Sequence, residues 1–196
     1  MKTDPAYELL RLFTSPIIAV TSSWQGQANG MISDAVMRAS ISPNVPRLSV
    51  YIHKWHDSHD LIWNSGKFGI NLLHQGQLQL VHDLGFVSAR ERRDKLAGHP
   101  WHAGETGVPV LEEAPAAFEC RVINTMDTGY STCFLGHVDA VYHGPKMGEV
   151  MTAPWFRAHL PPGWQEAWLA NYRKAQDVIE ANQVPEDRHW TGPAGT

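Results

Sequence analysis

The chain has 196 residues, of which 43% are hydrophobic and 18% are charged. This balance excludes a disordered polyelectrolyte and fits one globular domain with an extension, since a typical domain has about 150 residues. The 16 basic and 20 acidic residues leave a net charge of −4. That charge argues against a surface that attracts nucleic acid or a membrane, so we expect neither as a partner.

The cysteines and the first residues of the chain bear on its cellular compartment. Cys120 and Cys133 form no Cys-x-x-Cys pair and are too few for a disulfide framework. The N-terminal residues lack the apolar stretch of a signal peptide, and no apolar run approaches the ~20 residues that span a bilayer. We therefore expect a cytoplasmic protein.

Short apolar runs rich in β-branched residues recur along the chain and predict strands. Before the first run, residues 4–13 are expected to form a capped helix that Ser15-Pro16 ends. The predicted strands comprise residues 17–21, 48–53, 68–73, 118–123 and 133–142. The last two lie close enough along the chain to form a hairpin around residues 127–129.

Shorter helical patterns lie between these strands. Asp57-Ser58 offers an N-cap for a helix that Gly66 would end. Residues 77–84 carry apolar side chains at helical spacing, and residues 89–96 form a charged helical pattern before Gly98. Because a helix does not follow every strand, a doubly wound sheet is not expected. The pattern favours a mainly β fold, a mostly antiparallel barrel with helical decorations.

The pattern of short apolar strands ends with the last predicted strand, which Gly144-Pro145-Lys146 would break. We expect residues 1–143 to form the barrel domain and residues 144–196 a C-terminal extension. Within the extension, residues 164–181 predict a helix whose aromatic side chains share one face. Four of the eight tryptophans lie in the extension, so we expect it to pack on the barrel or a partner subunit, or to cover a pocket.

Several common catalytic and binding motifs are absent from the chain. Neither glycine-rich phosphate cradle occurs, and there is no Gly-x-Ser-x-Gly nucleophile motif. The eleven histidines include His53, His56 and His59, but no set has the spacing of a zinc site, so we expect no metal. The charged run at residues 90–95 is either a solvated helix face or a phosphate contact for a small ligand.

A further set of segments carries a family resemblance through its order and spacing. The segments are residues 15–21, 28–33, 39–43, 58–62, 65–73, 93–96, 109–111, 117–120 and 135–138. Together they resemble the flavin reductase-like, FMN-binding split-barrel family over residues 5 to 143. The resemblance implies an antiparallel split β-barrel with Greek-key-like connections, a homodimer, and a flavin bound near the subunit interface.

The residue types in two of these segments suit a flavin. An isoalloxazine ring needs a flat apolar slot, backbone hydrogen-bonding groups and a few small polar side chains. Asn29-Gly30 permits a tight turn close to a planar ligand, and the serines supply hydroxyl groups without filling the slot. By resemblance, the residues that line the flavin are Asn29, Gly30, Met31, Ile32, Ser33, Ser40, Ser42 and Pro43.

The flavin phosphate needs several hydrogen-bond donors close together. Ser58, at the predicted helix start, offers a hydroxyl beside free backbone N–H groups. Lys54 would add positive charge, as would Lys95 if the charged helix folds back. The alternatives are an ordinary N-cap at Ser58 and solvated lysines. Asn71, in an otherwise apolar strand, is either a buried partner of the flavin or a half-exposed strand residue.

One segment departs from the family pattern. Many reductases of this family have a histidine near the nicotinamide, just before the last barrel strand. This chain has Thr128-Gly129-Tyr130-Ser131-Thr132 at that place. The nicotinamide contact then moves to Tyr130 or to the extension, or electrons come from another donor.

The resemblance implies an NAD(P)H-dependent flavin reductase, in which hydride passes from the nicotinamide to FMN, or to FAD in its place. No catalytic side chain is expected, because the flavin supplies the redox chemistry and the protein orients the reactants. A flavin-dependent monooxygenase or another electron acceptor would be the downstream partner. The alternatives are an FMN-holding electron carrier fed by a protein partner, and a flavin-free binding module.

Overall fold

The computed structural model describes residue 13 and residues 15–89, 92, 94–144, 148–181 and 189–195. The strands are β1 (Ile18–Trp24), β2 (Gln27–Ser33), β3 (Val36–Arg38), β4 (Arg47–His53), β5 (Lys67–Leu72), β6 (Trp101–Ala103), β7 (Pro109–Leu111), β8 (Ala116–Asp127) and β9 (Ser131–His143). The helices are α1 (Asp57–Ser65), α2 (Leu78–Gly85), α3 (Ala153–His159) and α4 (Pro162–Ala181). The helix predicted over residues 4–13 falls outside the described residues, apart from Phe13.

Seven of these strands form one antiparallel sheet in the order β2-β1-β5-β8-β9-β4-β3. β2 and β3 occupy opposite edges of the sheet, yet only Asp34 and Ala35 separate them along the chain. So short a connection requires the sheet to curl until its two edges approach each other. The result is an antiparallel split barrel, and the predicted mainly β fold is confirmed.

Alternation along β1 divides the buried side chains between the two faces of the sheet. Ile18 and Val20 point into the barrel, where they pack with Phe68. Ala19 belongs to a second core on the outer face, beneath α2 and α3. β1 is therefore buried on both faces, which explains why its first residues form a continuous apolar run.

Three of the predicted helices are confirmed, and one of them is α4, which contains the predicted residues 164–181. α1 ends at Gly66, whose φ of 68° lies in the left-handed region that glycine adopts readily. α2 matches the apolar pattern over residues 77–84. The predicted N-cap is wrong, because His56 precedes the first turn of α1 and Ser58 lies inside the helix, where its side chain points to β2.

The charged helix predicted over residues 89–96 is wrong for the described part of that segment. Arg92 and Asp94 lie outside regular structure, and residues 95–98 form a turn. Tertiary packing overrides the local pattern here, because Lys95 and Leu96 are both buried. The alternative of a solvated helix face is therefore wrong for Lys95.

The C-terminal extension lies against α2. Trp164 and Trp168 of α4 pack on the second core, and the ring centroids of Trp164 and His82 are 4.4 Å apart. The Asn171 Nδ2 group donates a hydrogen bond of 2.7 Å to the Phe86 carbonyl oxygen.

Within the part of the chain that the structure describes, no helix has the length and apolar character needed to cross a membrane.

Candidate functional site

A buried polar pair joins β2 to the first turn of α1. The Asn29 Nδ2 group donates to the Ser58 Oγ atom over 3.0 Å, and both residues are buried. The Asn29 Oδ1 atom is also buried, and no described group donates a hydrogen bond to it. An unsatisfied buried polar atom costs about 1–3 kcal/mol. Such an atom is expected where a ligand or a water molecule supplies the missing donor.

Lys95 brings a positive charge to the same end of α1. Its side chain is only 5% exposed, and burial lowers the pKa of its ammonium group to about 8, while the nearby Asp57 carboxylate acts in the opposite direction. Asp57 is the first residue of α1, which places Lys95 near the helix N-terminus. Since no described residue forms an ion pair or hydrogen bond with Lys95, its buried charge favours an anion.

Gly30 explains how the Lys95 segment approaches β2. A Cβ atom at position 30 would lie 3.0 Å from Leu96 Cδ2 and 3.1 Å from Leu84 Cδ2. Glycine therefore allows α2 and the turn at residues 95–98 to lie directly on the strand. The tight turn predicted at Asn29-Gly30 is wrong, since both residues belong to the interior of β2.

The next residues of β2 alternate across the sheet. Met31 packs with the barrel core, whereas Ile32 packs with the second core on the outer face. The Ser33 Oγ atom accepts a hydrogen bond of 3.0 Å from the Ala35 backbone N–H. Because strand side chains repeat every two residues, Met31 and Ser33 share the face of Asn29 and Ile32 does not.

The second predicted flavin-lining segment lies in the loop between β3 and β4. Ser42 and Pro43 are exposed, and the half-buried Ser40 accepts a hydrogen bond of 3.1 Å from the Ser42 backbone N–H. Between them, Ile41 is 94% exposed. In a single chain this loop therefore presents both hydroxyl groups and an aliphatic side chain to solvent.

Asn71 is fully buried, so the alternative of a half-exposed strand residue is wrong. Its Nδ2 group donates to the Ala19 carbonyl oxygen over 3.3 Å and to the Thr21 Oγ1 atom over 3.2 Å. Its Oδ1 atom accepts a hydrogen bond of 2.9 Å from the Leu111 backbone N–H. These bonds tie β1, β5 and β7 together and give both ends of the amide a protein partner.

Lys54, the other predicted phosphate contact, forms an ion pair with Asp127 at the tip of the β8–β9 hairpin. The pair borders a cavity of about 120 Å³. The cavity is also lined by Trp55, His59, Asp60, Trp63 and Thr132. A carboxylate 73 residues further along the chain thus engages the Lys54 charge, which no local sequence pattern predicts.

Tyr130, the predicted substitute for the missing histidine, belongs to a cluster of rings beside this cavity. Its ring is nearly parallel to that of His53, with the centroids 6.4 Å apart, and lies 5.7 Å from that of Trp55. Burial lowers the pKa of His53. The register of β4 and β9 places His53 opposite Ser131, so a histidine ring lies across from the segment that lacks one.

The cluster of Asn29, Ser58 and Lys95 suits the phosphorylated end of a flavin mononucleotide. It combines a hydroxyl group, an amide oxygen without a donor and a buried cation beside a helix N-terminus. Phosphate groups bind where a hydroxyl group, a cation and the N–H groups of a helix N-terminus meet, whereas the Asn29 Oδ1 atom would accept a hydrogen bond from a hydroxyl group of the ribityl chain. Asp57, which the sequence analysis considered only as a cap, lies near Lys95 and raises the pKa of its ammonium group without forming an ion pair with it. Among the described residues, no group of three His, Cys, Asp or Glu side chains is arranged to hold a metal ion.

Comparison with known proteins shows which family the chain is similar to. The profile of the flavin reductase like domain matches residues 10–162. A ferric-chelate reductase (NAD(P)H) from Archaeoglobus fulgidus is 32% identical over 124 residues, which cover 62% of this chain and 72% of that protein. An FMN reductase (NADH) from Pseudomonas syringae is 32% identical over 110 residues, 56% of this chain and 60% of that protein. The structure of an NADH:FAD oxidoreductase from Streptomyces globisporus has a TM-score of 0.65 at 25% identity and covers 78% of this chain and 91% of that one.

Proposed function

The chain belongs to the flavin reductase like domain family, and on that basis we propose that it is a flavin reductase that uses NAD(P)H to reduce FMN. One observation carries the assignment of the site. Lys95 is a buried cation without an ion-pair partner among the described residues, and it lies near the helix turn whose Ser58 contacts Asn29. An anionic ligand with hydroxyl groups would satisfy all three residues.

We propose specific roles for these residues. Lys95 and Ser58 bind the phosphate, Asn29 accepts a hydrogen bond from the ribityl chain, and Met31, Ser33 and residues 40–43 line the ring. Ile32 is left out, because it packs with the second core on the other face of β2. Lys54 and Asn71 are left out of the proposed site, because Asp127 engages the first and three protein groups engage the second. FAD, whose phosphates would reach the same cation, stays an alternative cofactor.

The proposed reaction needs little acid–base chemistry from the protein. FMN, when bound, supplies the redox chemistry by accepting a hydride from the nicotinamide. The chain's own residues bind the phosphate, orient the ring and exclude water from one of its faces. No side chain is therefore proposed as a general acid or base.

Flavin binding and nicotinamide oxidation test this proposal separately. We expect the protein to bind FMN in a fluorescence titration and to oxidise NADH or NADPH only when FMN is present. Serine at position 58 offers a conservative probe: Ser58→Ala should weaken FMN binding by a few-fold, since a neutral hydrogen bond contributes about 1 kcal/mol. Absence of both FMN and FAD binding would overturn the proposal.

The segment at residues 128–132, which has no histidine, favours a second candidate function. The protein would then hold FMN and receive electrons from a protein partner. Bound FMN without oxidation of either nicotinamide would support this alternative and reject the reductase. If instead Tyr130→Ala raises the KM for the nicotinamide and leaves FMN affinity unchanged, the ring cluster contacts the nicotinamide.

We also propose that the protein is a homodimer. The support is an exposed apolar surface on the outer face of β3, β4, β8 and β9, beside the loop that carries Ile41. A second copy on this surface would cover the exposed side of residues 40–43.

The cytoplasmic location and the downstream acceptor, including a flavin-dependent monooxygenase, stay predictions from the sequence.

A further inference from the structure

A cavity of about 200 Å³ lies where the C-terminal extension meets the sheet. Its walls come from the end of β2, from α2, from α3 and from α4. The apolar lining includes Ile32, Val81, Phe86, Phe156, Trp168 and Tyr172. Trp168 and Tyr172 lie beyond residue 162, where the family match ends. We call this space the extension cavity, and it shares no residue with the Asn29, Ser58 and Lys95 cluster.

Packing fixes the walls of the extension cavity. The Trp168 and Tyr172 rings stack with their centroids 5.9 Å apart, and the bond from Asn171 to the Phe86 carbonyl holds α4 on α2. On the opposite wall, a Cβ atom at Gly85 would lie only 3.1 Å from Ile32 Cγ1, so this glycine lets α2 approach the strand. The cavity is therefore built by close contacts on each side.

The volume of the extension cavity selects the size of its occupant. An apolar cavity of roughly 150 Å³ accommodates benzene in other proteins. The slightly larger space here suits one aromatic ring with a small substituent. The aromatic walls add favourable ring–ring contacts for such a ligand.

The charges at the extension cavity select the substituent. Arg157 on α3 is half-buried, lines the cavity, and forms no ion pair with any described residue. Asp34, the other charged lining residue, is exposed, so water screens its carboxylate. A half-buried guanidinium group binds a carboxylate through two parallel hydrogen bonds. The unsatisfied charge at this cavity therefore favours an anionic ligand.

We propose that the extension cavity binds a small aromatic carboxylate, with the ring against Phe156 and Trp168 and the carboxylate on Arg157. The binding site does not require the proposed function, because it can be occupied without turnover. Ser33, at the end of the strand that would hold the flavin, belongs both to the proposed flavin lining and to the wall of this cavity, so the occupant contacts that strand directly.

Isothermal titration of the purified protein with sodium benzoate, and separately with benzyl alcohol, tests the proposal. We expect one benzoate per chain. Arg157→Gln should weaken benzoate binding by about tenfold or more and change benzyl alcohol binding less than about twofold, because only the carboxylate uses the guanidinium group. The matched control is Arg173→Gln, an equal charge change on the exposed surface of α4, which should alter neither ligand.

Two further measurements keep the proposal falsifiable. Ala153→Leu places a larger side chain in the lining and should abolish binding of both ligands. If that variant does not fold, the two arginine variants still decide the result. Absence of benzoate binding, or equal weakening by Arg157→Gln and Arg173→Gln, would overturn the proposal. Displacement of benzoate by FMN would also overturn it, because the extension cavity would then belong to the flavin site.

Discussion

Lys95 is the residue on which the proposed cofactor site depends most. Burial lowers the pKa of its ammonium group to about 8, because water no longer stabilises the charge. A phosphate dianion next to Lys95 would raise that pKa again, since an opposite charge favours the charged form. Flavin binding and protonation of Lys95 are therefore linked.

We expect FMN affinity to fall as the pH rises above about 8. Above this pH the free protein loses the Lys95 proton, and binding must recover it. The dissociation constant should then rise by up to about tenfold per pH unit, until the pKa of the bound state is reached. The phosphate itself does not change charge in this range, because its second pKa is about 6. Fluorescence titrations between pH 7 and pH 10 would measure the slope.

Lys54 provides the matched control for this pH dependence. Lys95→Met should weaken FMN binding by at least about tenfold at pH 7 and remove the slope, because a charge-assisted contact contributes about 1.5–3 kcal/mol. Lys54→Met removes an equal charge from a lysine that Asp127 already engages, and it should retain both affinity and slope. An unchanged slope in Lys95→Met would contradict the placement of the phosphate.

Asn71 shows which part of the site the residue pattern alone could not decide. A polar residue in an apolar strand is compatible with a ligand contact and with a structural role. The choice depends on Leu111, which is 40 residues further along the chain and supplies the donor to the amide oxygen. Lys95 was predicted as a phosphate contact on a charged helix that does not form. Its burial goes with the packing of the next residue, Leu96, on Gly30, which local periodicity does not predict.

Elements whose signal arises within a few residues were predicted well. α1 with its terminal Gly66, α2, and the β8–β9 hairpin all have local patterns of capping, spacing or turn chemistry. β3, β6 and β7 were missed because strands of three residues carry too short a pattern to detect. β2 was missed because its Asn29-Gly30 pair is typical of a turn.

The contact between α4 and α2 gives an element-scale prediction. Trp164 packs on His82 and on the second core, so Trp164→Ala should lower the free energy of unfolding by about 2–4 kcal/mol. Leu169→Ala, on the exposed side of the same helix, should lower it by less than about 1 kcal/mol. Urea unfolding measures both values. A loss below about 1 kcal/mol in Trp164→Ala would mean that this contact of α4 does not contribute to the stability of the barrel.

At the scale of the whole molecule, the curled sheet leaves one outer surface without a covering element among the described residues. Strand register places Tyr51, Cys133 and Met126 in one row across β4, β9 and β8. Met37 of β3 lies on the same face, and Met37 and Met126 are 62% and 54% exposed. Exposed apolar side chains grouped in this way are typical of a protein–protein interface.

If this surface joins two copies of the chain, a charge placed on it should separate them. Met126→Glu should convert a dimer into a monomer in sedimentation, because a carboxylate buried in the interface would have no partner. FMN affinity should fall in the same variant, since the partner would no longer cover residues 40–43. Val141→Glu is the matched control: position 141 is equally exposed but lies roughly 27 Å along β9 from Cys133, at about 3.4 Å per residue. A dimer in Met126→Glu would show that this surface is not the dimer interface, and a monomer in the unmodified protein with FMN bound would show that the flavin site is complete within one chain.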